Sequence, residues 1–448
     1  MGQLKETRKK DKQKKMMLRV AGLGGLGVVL AGLIIAIGIM LPDAPSGGVS
    51  IGGSQQESSQ TESNLPGTEE SSQEESQSET VSETESETEP ESIPEPEPQE
   101  VQLVMVGDML MHDKVIASGK KEDGSYNYDH IFANVKDIIQ AADLAIVNQE
   151  TIMGGEEFGY SGYPRFNTPY ALADAEAAAG FDVVLLATNH TCDKGEQAVW
   201  NCMNYFDTYH PEMAYIGVNK SQEDQTNNIY VVEKNGIKIA ILNYTYTMNG
   251  NRIPKDKPWL VNLLKEDKLA QDIQKAEQIA DFTIVCPHWG TEYSLGISSA
   301  QTKWMKICLE NGADLIMGAH PHVIEPIRWE TDDQGHKMLV YYSVGNFVNG
   351  TGESKSGVAN RMVGGIAQVT IGRNEAGEVV ILNQGVQPLI CHVSTGTAYT
   401  VYRIEDYTEE LAKENRILSQ DSAFSLKYCQ DLVKKVWGDS NALNTPQE

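Results

Sequence analysis

The chain has 448 residues and a net charge of −27 at pH 7, with 63 acidic residues against 36 basic ones. It is long enough for two or three domain-sized segments. Because nucleic-acid binding needs a basic surface, a chain this acidic is not expected to have a nucleic-acid partner. The charge is distributed unevenly, and this distribution divides the chain into four segments.

The N-terminal segment is basic and is followed by an uncharged one. Residues 1–19 contain eight Lys or Arg against two acidic residues, and residues 20–41 contain no charge. An apolar helix of that length spans about 30 Å, the thickness of the hydrocarbon core of a bilayer. A cleaved signal peptide is the alternative, but its apolar region is usually shorter, and no Ala-x-Ala site follows Met40. We therefore predict a basic cytoplasmic segment and one transmembrane helix at 20–41.

The third segment, residues 42–100, is a Ser-, Glu- and Pro-rich linker. Residues 43–100 contain sixteen Asp or Glu and no Lys or Arg. Such a segment has too little apolar surface to offset the chain entropy lost on folding, so we predict a disordered acidic stalk. Since the basic side of a span stays in the cytoplasm, the protein is expected to be a single-pass protein of the cell membrane. The fourth segment, a head at 101–448, would then be extracellular.

Within the head, short apolar runs alternate with amphipathic stretches, which is the pattern of β-α-β units. We predict strands at 102–107, 144–149, 182–187, 282–286 and 314–318, and helices at 130–141, 170–179, 195–209, 263–280 and 299–311. Hairpins are predicted at Asn235-Gly236, 327–343 and 366–382, and residues 401–436 are predicted to be helical. The expected fold class is α/β, a two-sheet sandwich flanked by helices. A separate domain starting near residue 365 is the alternative.

The cysteines and most histidines of the head are predicted to have structural and not catalytic or metal-binding roles. All six cysteines lie in the head, and free buried thiols are expected because a domain of this size needs no disulfides. Five histidines are predicted to be surface or capping residues. One of them, His112, lies four residues after Asp108 and could also approach the same rim of the sheet as Asp108. The five are His112, His130, His210, His336 and His392.

Polar side chains follow the predicted buried strands. Carboxyl ends of parallel strands meet at one rim of an open sheet, so we expect these side chains to converge. Carboxylate, carboxamide and imidazole groups are suitable ligands for a pair of divalent metals. Taken alone, Asp108 could be a helix cap and His288 an ordinary hydrogen-bonded histidine. The full set is Asp108, Glu150, Asn189, His190, Asp193, His288, His320 and His322.

Six motifs in this order resemble the capsule-synthesis CapA / poly-γ-glutamate-synthesis PgsA family, which is related to calcineurin-like metallophosphoesterases. The resemblance covers about residues 102–348 and implies a metallophosphoesterase-like fold. The motifs are Gly107-Asp108, Asn148-x-Glu150, Asn189-His190-x-x-Asp193-x-Gly195, His288-Trp289-Gly290-x-Glu292-Tyr293, Gly318-Ala319-His320-Pro321-His322 and Tyr342-Ser343-x-Gly345-Asn346-Phe347.

The resemblance also implies a role for each site residue around two divalent ions, Mn, Fe or Zn. Asp108 would bind the first metal, Glu150 would bridge both, and His322 would return to the first. The second metal would be held by Asn189, His288 and His320. His190 would act as the acid or as the group that stabilises the transition state, oriented by Asp193.

One position departs from the family pattern. Metallophosphoesterases usually open with Asp-x-His, and Leu110 stands at the histidine position here. The first metal site is therefore expected to lack a ligand, unless His112 supplies one.

The resemblance implies a membrane-anchored extracytoplasmic protein of capsule or poly-γ-glutamate biosynthesis or export, with a dinuclear, hydrolase-type metal site. Its partners would be the membrane, subunits of a capsule or polyglutamate synthase, and an anionic polymer. Two alternatives stay open. One is a general extracellular metallophosphoesterase, and the other is a non-catalytic assembly subunit of a polymer-synthesis complex.

Overall fold

The computed structural model describes residues 100–394 and 398–438. The predicted basic segment and transmembrane helix, and nearly all of the predicted linker, lie outside these residues. Within the described ranges, no helix combines the length and apolar character needed to cross a membrane. The bounds of the four segments therefore stay predictions.

The described residues form two β-sheets and the helices that pack on them. The strands are β1 (Glu100–Leu110), β2 (Leu144–Asn148), β3 (Val183–Leu185), β4 (Ala214–Ile216), β5 (Tyr230–Lys234), β6 (Ile237–Thr245), β7 (Phe282–His288), β8 (Leu315–Met317), β9 (Ile327–Thr331), β10 (Lys337–Tyr341), β11 (Asn346–Asn349), β12 (Val363–Arg373), β13 (Val379–Val393) and β14 (Tyr399–Arg403). The helices are α1 (Asp113–Ser118), α2 (Asp129–Phe132), α3 (Lys136–Ala141), α4 (Ala171–Ala179), α5 (Glu196–Tyr209), α6 (Gln222–Asn227), α7 (Glu266–Ile279), α8 (Ser299–Asn311), α9 (Glu409–Glu414) and α10 (Leu426–Trp437).

The first sheet has the order β14-β13-β12-β1-β2-β3-β4, and β11 also pairs with β1. Strands β1 to β4 are parallel, so their carboxyl ends lie at one rim. On its other side, β1 pairs antiparallel with β12 up to Val106 and then parallel with β11, where Asp108 lies opposite Asn346. The register of β1 shifts after Asp108, because one strand serves two partners there.

The second sheet has the order β5-β6-β7-β8-β10-β9, with β6, β7, β8 and β10 parallel. Successive side chains of a strand point to opposite faces. Accordingly, Ile239 and Ile241 of β6 belong to the buried cluster that contains the first sheet. Leu242 instead packs in a second cluster with Leu269 of α7 and Met305 of α8. The predicted α/β class, with two sheets and covering helices, is confirmed.

Several local predictions are confirmed at the level of single residues. The Asn235-Gly236 turn joins β5 and β6 with positive φ at both positions, as a tight hairpin turn requires. Helix α4 ends at Gly180, whose φ of 105° lies in the left-handed region. All six cysteines are buried and free, as expected.

Three predictions are wrong in detail. The helix predicted at 130–141 is divided into α2 and α3, and Asn134 between them donates to the backbone oxygen of Val401 in β14 at 3.2 Å. The predicted helix at 401–436 begins instead as β14, which pairs with β13, and continues as the short helices α9 and α10. His392 is predicted to be a surface or capping residue, but it is buried, with Nδ1 2.9 Å from the Tyr407 hydroxyl. In all three places a tertiary partner determines the conformation.

Candidate metal centre

The predicted site residues lie together where strands of both sheets end. Asp108 lies near the end of β1, and Glu150 follows β2. Asn189 and His190 follow β3, His288 ends β7, and His320 and His322 follow β8. None of these residues, nor Asp193, is more than 4% exposed. The eight residues thus share one buried region, and their roles there stay predictions.

The first group of donor atoms comes from Asp108, Glu150 and His322, within 4.8 Å of one another. Nδ1 of His322 lies 3.0 Å from Oδ2 of Asp108 and 3.1 Å from Oδ1 of Asn346. Two oxygen acceptors therefore hold the Nδ1 hydrogen, and Nε2 is the atom that faces Oε1 of Glu150, at 3.6 Å. An imidazole fixed through one nitrogen presents the other as a ligand.

The electrostatics of this group favour a cation. Burial alone would lower the pKa of His322, but the neighbouring Glu150 and Asp108 carboxylates raise it to about 9. Without another cation, the ring therefore carries a proton at neutral pH and balances the two carboxylates. A divalent ion would displace that proton, as metal binding commonly does at histidine ligands.

The second group comes from Glu150, His288 and His320. Nε2 of His288 lies 3.1 Å from Nδ1 of His320, 3.0 Å from Oδ1 of Asn189 and 3.6 Å from Oε1 of Glu150. Nε2 of His320 is held by the Tyr246 hydroxyl at 3.1 Å. Burial, with the neighbouring His288 and His322, keeps the pKa of His320 well below its usual value, so the ring is neutral. Neutral imidazole and carboxylate are ligands for Zn, Mn or Fe.

Glu150 belongs to both groups. Its side chain is fully buried, and among the described residues neither of its oxygens has a hydrogen-bond partner. Burying a carboxylate without hydrogen bonds costs several kcal/mol, and Glu150 shares the single positive charge of His322 with Asp108. A cation on each side of Glu150 would offset that cost, so the residues present fit two divalent ions with one bridging carboxylate.

The backbone around the two histidines after β8 is strained. His320 has a φ of 100° and His322 a φ of 60°, the left-handed region that non-glycine residues rarely occupy. Such positions cost on the order of 1–3 kcal/mol each and are often found at functional sites. The backbone N–H of His320 donates to the Asp108 carboxylate, which also accepts from Asn148 Nδ2 at 2.8 Å. The strained turn thus fixes Asp108 as well as the two imidazoles.

His190 lies beside the donor groups without belonging to any that the described residues form. Its Nδ1 lies 2.7 Å from Oδ2 of Asp193. That carboxylate also accepts from the backbone N–H of Phe166 at 2.8 Å and from Asn251 Nδ2 at 2.7 Å. The Phe166 ring packs edge-on against His190, with centroids 4.6 Å apart. Asp193 therefore fixes the imidazole and directs Nε2 away from itself.

Three residues of the region were not assigned from the sequence. Glu292 forms a further donor group with His320 and His322, on the exposed side of the site. Its position in the His288-to-Tyr293 motif is the feature of the sequence that could have indicated a place in the site. Tyr246 and Asn251 lie in the segment after β6, where no periodic pattern indicates which way a side chain points.

Position 110, where metallophosphoesterases usually have a histidine ligand, offers no donor atom here. Leu110 is buried and has no donor atom. His112 belongs to none of the donor groups found among the described residues, and its ring packs against Phe166 with centroids 5.2 Å apart. Burial, followed by the neighbouring His322, lowers the pKa of His112 to about 4, so this ring is neutral.

Comparison with known proteins identifies related sequences. The family model described as bacterial capsule synthesis protein PGA_cap matches residues 102–351. The chain is 29% identical over 262 residues to the capsule biosynthesis protein CapA of Bacillus anthracis, a match that covers 56% of this chain and 60% of that protein. It is 27% identical over 250 residues to the PGA biosynthesis protein CapA of Bacillus subtilis (strain 168), covering 54% and 62%. These matches span about three fifths of the length of the curated relatives.

The solved structures that the chain is similar to are more distant. They include a 5'-nucleotidase precursor from Thermus thermophilus, with 13% identity and a TM-score of 0.41 over 65% of this chain and 54% of that one. They also include the NAD nucleotidase of Haemophilus influenzae, with 12% identity and a TM-score of 0.43 over 76% and 63%. Scores this low support no inference about activity. The chemistry of the centre is therefore inferred from its own residues.

Proposed function

Because the chain belongs to the bacterial capsule synthesis protein family PGA_cap, we propose that it is a membrane-anchored, extracytoplasmic protein of capsule or poly-γ-glutamate synthesis or export with a two-metal, hydrolase-type site. The observation that carries the site is Glu150, a fully buried carboxylate shared by two donor groups. Its oxygens have no hydrogen-bond partner in the part of the chain that the structure describes.

Two sets of residues would hold the ions. Asp108, Glu150 and His322 would bind one divalent cation, and Glu150 with Asn189, His288 and His320 would bind the other, as Mn, Fe or Zn. When bound, such a pair activates water and neutralises charge that develops on the scissile group. The substrate class would be a phosphoester or an amide of the polymer.

The remaining chemistry belongs to the chain's own side chains. His190 would hold a proton at Nε2 and give it to the leaving group, because Asp193 fixes its Nδ1 at 2.7 Å. Phe166 covers the His190 ring edge-on and keeps water from that side. Tyr246 orients His320 through a 3.1 Å contact at Nε2.

The proposed location depends on the N-terminal charge pattern. Eight basic residues in 1–19 precede the uncharged stretch 20–41, and the acidic linker follows. This order supports a single span with the head outside the cell, where polymer and synthase subunits would be its partners.

One observation favours the non-catalytic alternative. Leu110 removes a metal ligand that metallophosphoesterases usually have, which weakens the first site. An assembly subunit would use the same centre to bind a partner or the polymer and would turn over no substrate.

Metal analysis of the full-length purified protein tests the proposal. We expect bound divalent metal that is lost in the His320→Ala/His322→Ala variant and kept in a His210→Ala/His336→Ala control. A wild-type protein without metal affinity would refute the two-metal site.

A hydrolysis panel of phosphoesters and polyglutamate then separates the alternatives. Cleavage of simple phosphoesters alone would support a general phosphoesterase. Metal without any hydrolysis would support the assembly subunit.

A further inference from the structure

A cationic pocket lies next to the candidate acid. Three loops form it, those between β2 and α4, β3 and α5, and β6 and α7. Its volume is about 440 Å³, and Asp193 is part of its wall. Asp193 also holds His190, the candidate acid. Only the Asp193 side chain would therefore separate a ligand in the pocket from His190. The lining residues are Arg165, Cys192, Asp193, Lys194, Gly195, Asn251 and Arg252.

The positive charges of this pocket are available to a ligand. Arg165, Lys194 and Arg252 have no carboxylate partner among the described residues, and both arginines are exposed. The carboxylate in the wall, Asp193, is already engaged by His190, Phe166 and Asn251. Glu196, next to the lining, pairs with Lys257. Three cationic side chains without a carboxylate partner among the described residues therefore form a local site for anions, although the net charge of the chain is −27.

We propose that this pocket binds carboxylate groups of an acidic polymer and positions the polymer's backbone beside His190. The inference rests on the proposed function, favours the polymer over a phosphoester as its substrate, and assigns the polymer a binding pocket. Arg165 and Arg252 suit carboxylates because a guanidinium binds a carboxylate through two parallel hydrogen bonds. The cations come from three separate loops, which fits several spaced monovalent groups better than one compact phosphate. A phosphate group would offer the same anionic oxygens, so the test includes it.

Binding of labelled poly-γ-glutamate to the full-length protein tests this proposal. The Arg165→Gln/Arg252→Gln variant should bind roughly tenfold more weakly at low ionic strength, with a smaller difference in high salt, since salt screens such contacts. The matched control, Lys121→Gln/Arg328→Gln, makes the same change in net charge at exposed residues outside the pocket and should bind like wild type. Circular dichroism should show that both variants are folded.

Equal affinity of the pocket variant and its control would overturn the proposal, and so would a wild type that binds no polymer. Inorganic phosphate that binds with the same dependence on Arg165 and Arg252, while polyglutamate does not, would overturn the carboxylate assignment. Metal content separates this test from the proposed function. Loss of polymer binding in the variant of a protein that holds no metal would support the pocket and refute the two-metal site.

Discussion

Oε1 of Glu150 lies 3.6 Å from Nε2 of His322, too far for a hydrogen bond and close enough for one ion to contact both atoms. Nε2 of His288 lies at the same distance, 3.6 Å, from the same oxygen. Glu150 therefore occupies the middle of the centre, and its charge is the feature that the metal hypothesis most depends on.

Replacing Glu150 by Gln should remove most bound divalent metal, because one substitution weakens both donor groups. We expect a loss of affinity larger than the roughly 10–100-fold cost of changing an outer-shell partner. Metal analysis by mass spectrometry, together with metal titration of the stripped protein, measures it.

Glu176→Gln is the matched control for that experiment. Glu176 is also fully buried, and neither of its oxygens has a hydrogen-bond partner within the described ranges. Burial raises its pKa far above the usual value, so the native group is already neutral and the substitution changes no charge. Equal metal content in the two variants would contradict a bridging role for Glu150.

The His190→Ala variant should keep its metal and lose rate. If wild type hydrolyses either substrate class, removal of a positioned acid should lower the rate on the order of 10²–10⁴-fold. Asp193→Asn should cost less, because the one remaining side-chain oxygen can still accept from Phe166 N–H and His190 Nδ1, so the orientation is weakened and not removed. Metal analysis and initial rates on the same samples separate the two roles. An empty metal site in His190→Ala would mean that His190 is a ligand.

Stability should depend on pH through Glu325, a fully buried residue whose carboxyl accepts a hydrogen bond from Gln301. Burial raises its pKa from 4.5 to about 8. The folded state therefore holds this proton more tightly than the unfolded state. The resulting stabilisation is complete below about pH 4.5 and is lost as the pH rises towards 8, by up to about 1.4 kcal/mol per pH unit.

Glu325→Gln should remove that dependence and keep the acceptor for Gln301. Urea unfolding at several pH values between 5 and 8 should show the variant gaining stability relative to wild type as the pH rises. Parallel curves for the two proteins would show that Glu325 ionises as freely in the folded state as in the unfolded one.

Protease treatment of intact cells tests the predicted topology. Eight basic residues precede the uncharged stretch 20–41, so the head should be outside and should be removed without lysis. A head that is cleaved only after the cells are lysed would place it on the cytoplasmic side.

The positions of Asp108, Glu150 and His288 followed from the sequence because each lies at or near the end of an apolar run that forms a buried parallel strand. Chain direction brings Asp108 and Glu150 to one rim of the first sheet, whereas His288 ends a strand of the second sheet and reaches them through the packing of the two sheets. The contact of Asn251 with Asp193 had no comparable signal, since it joins two loops through a tertiary contact. The strained φ of His320 likewise depends on the Asp108 carboxylate that its N–H reaches.

The same reasoning explains which elements were assigned wrongly. Residues Tyr399–Arg403 have both strand-forming and helix-compatible side chains, and pairing with β13 decides between the two. Between α2 and α3, the hydrogen bond from Asn134 to β14 replaces a continued helix. These outcomes depend on a partner strand whose position a local pattern does not contain.

The pairing of β1 with β12 has a consequence for how the head is made. Glu100 lies opposite Gly372, so the first described strand obtains its antiparallel neighbour only after about three quarters of the head has been synthesised. Contacts between such distant parts of a chain form slowly. Until then, the apolar strand β1, which carries Asp108 near its end, keeps one open edge, where other chains can add. A nascent head of this kind depends on protection from aggregation until its C-terminal third emerges.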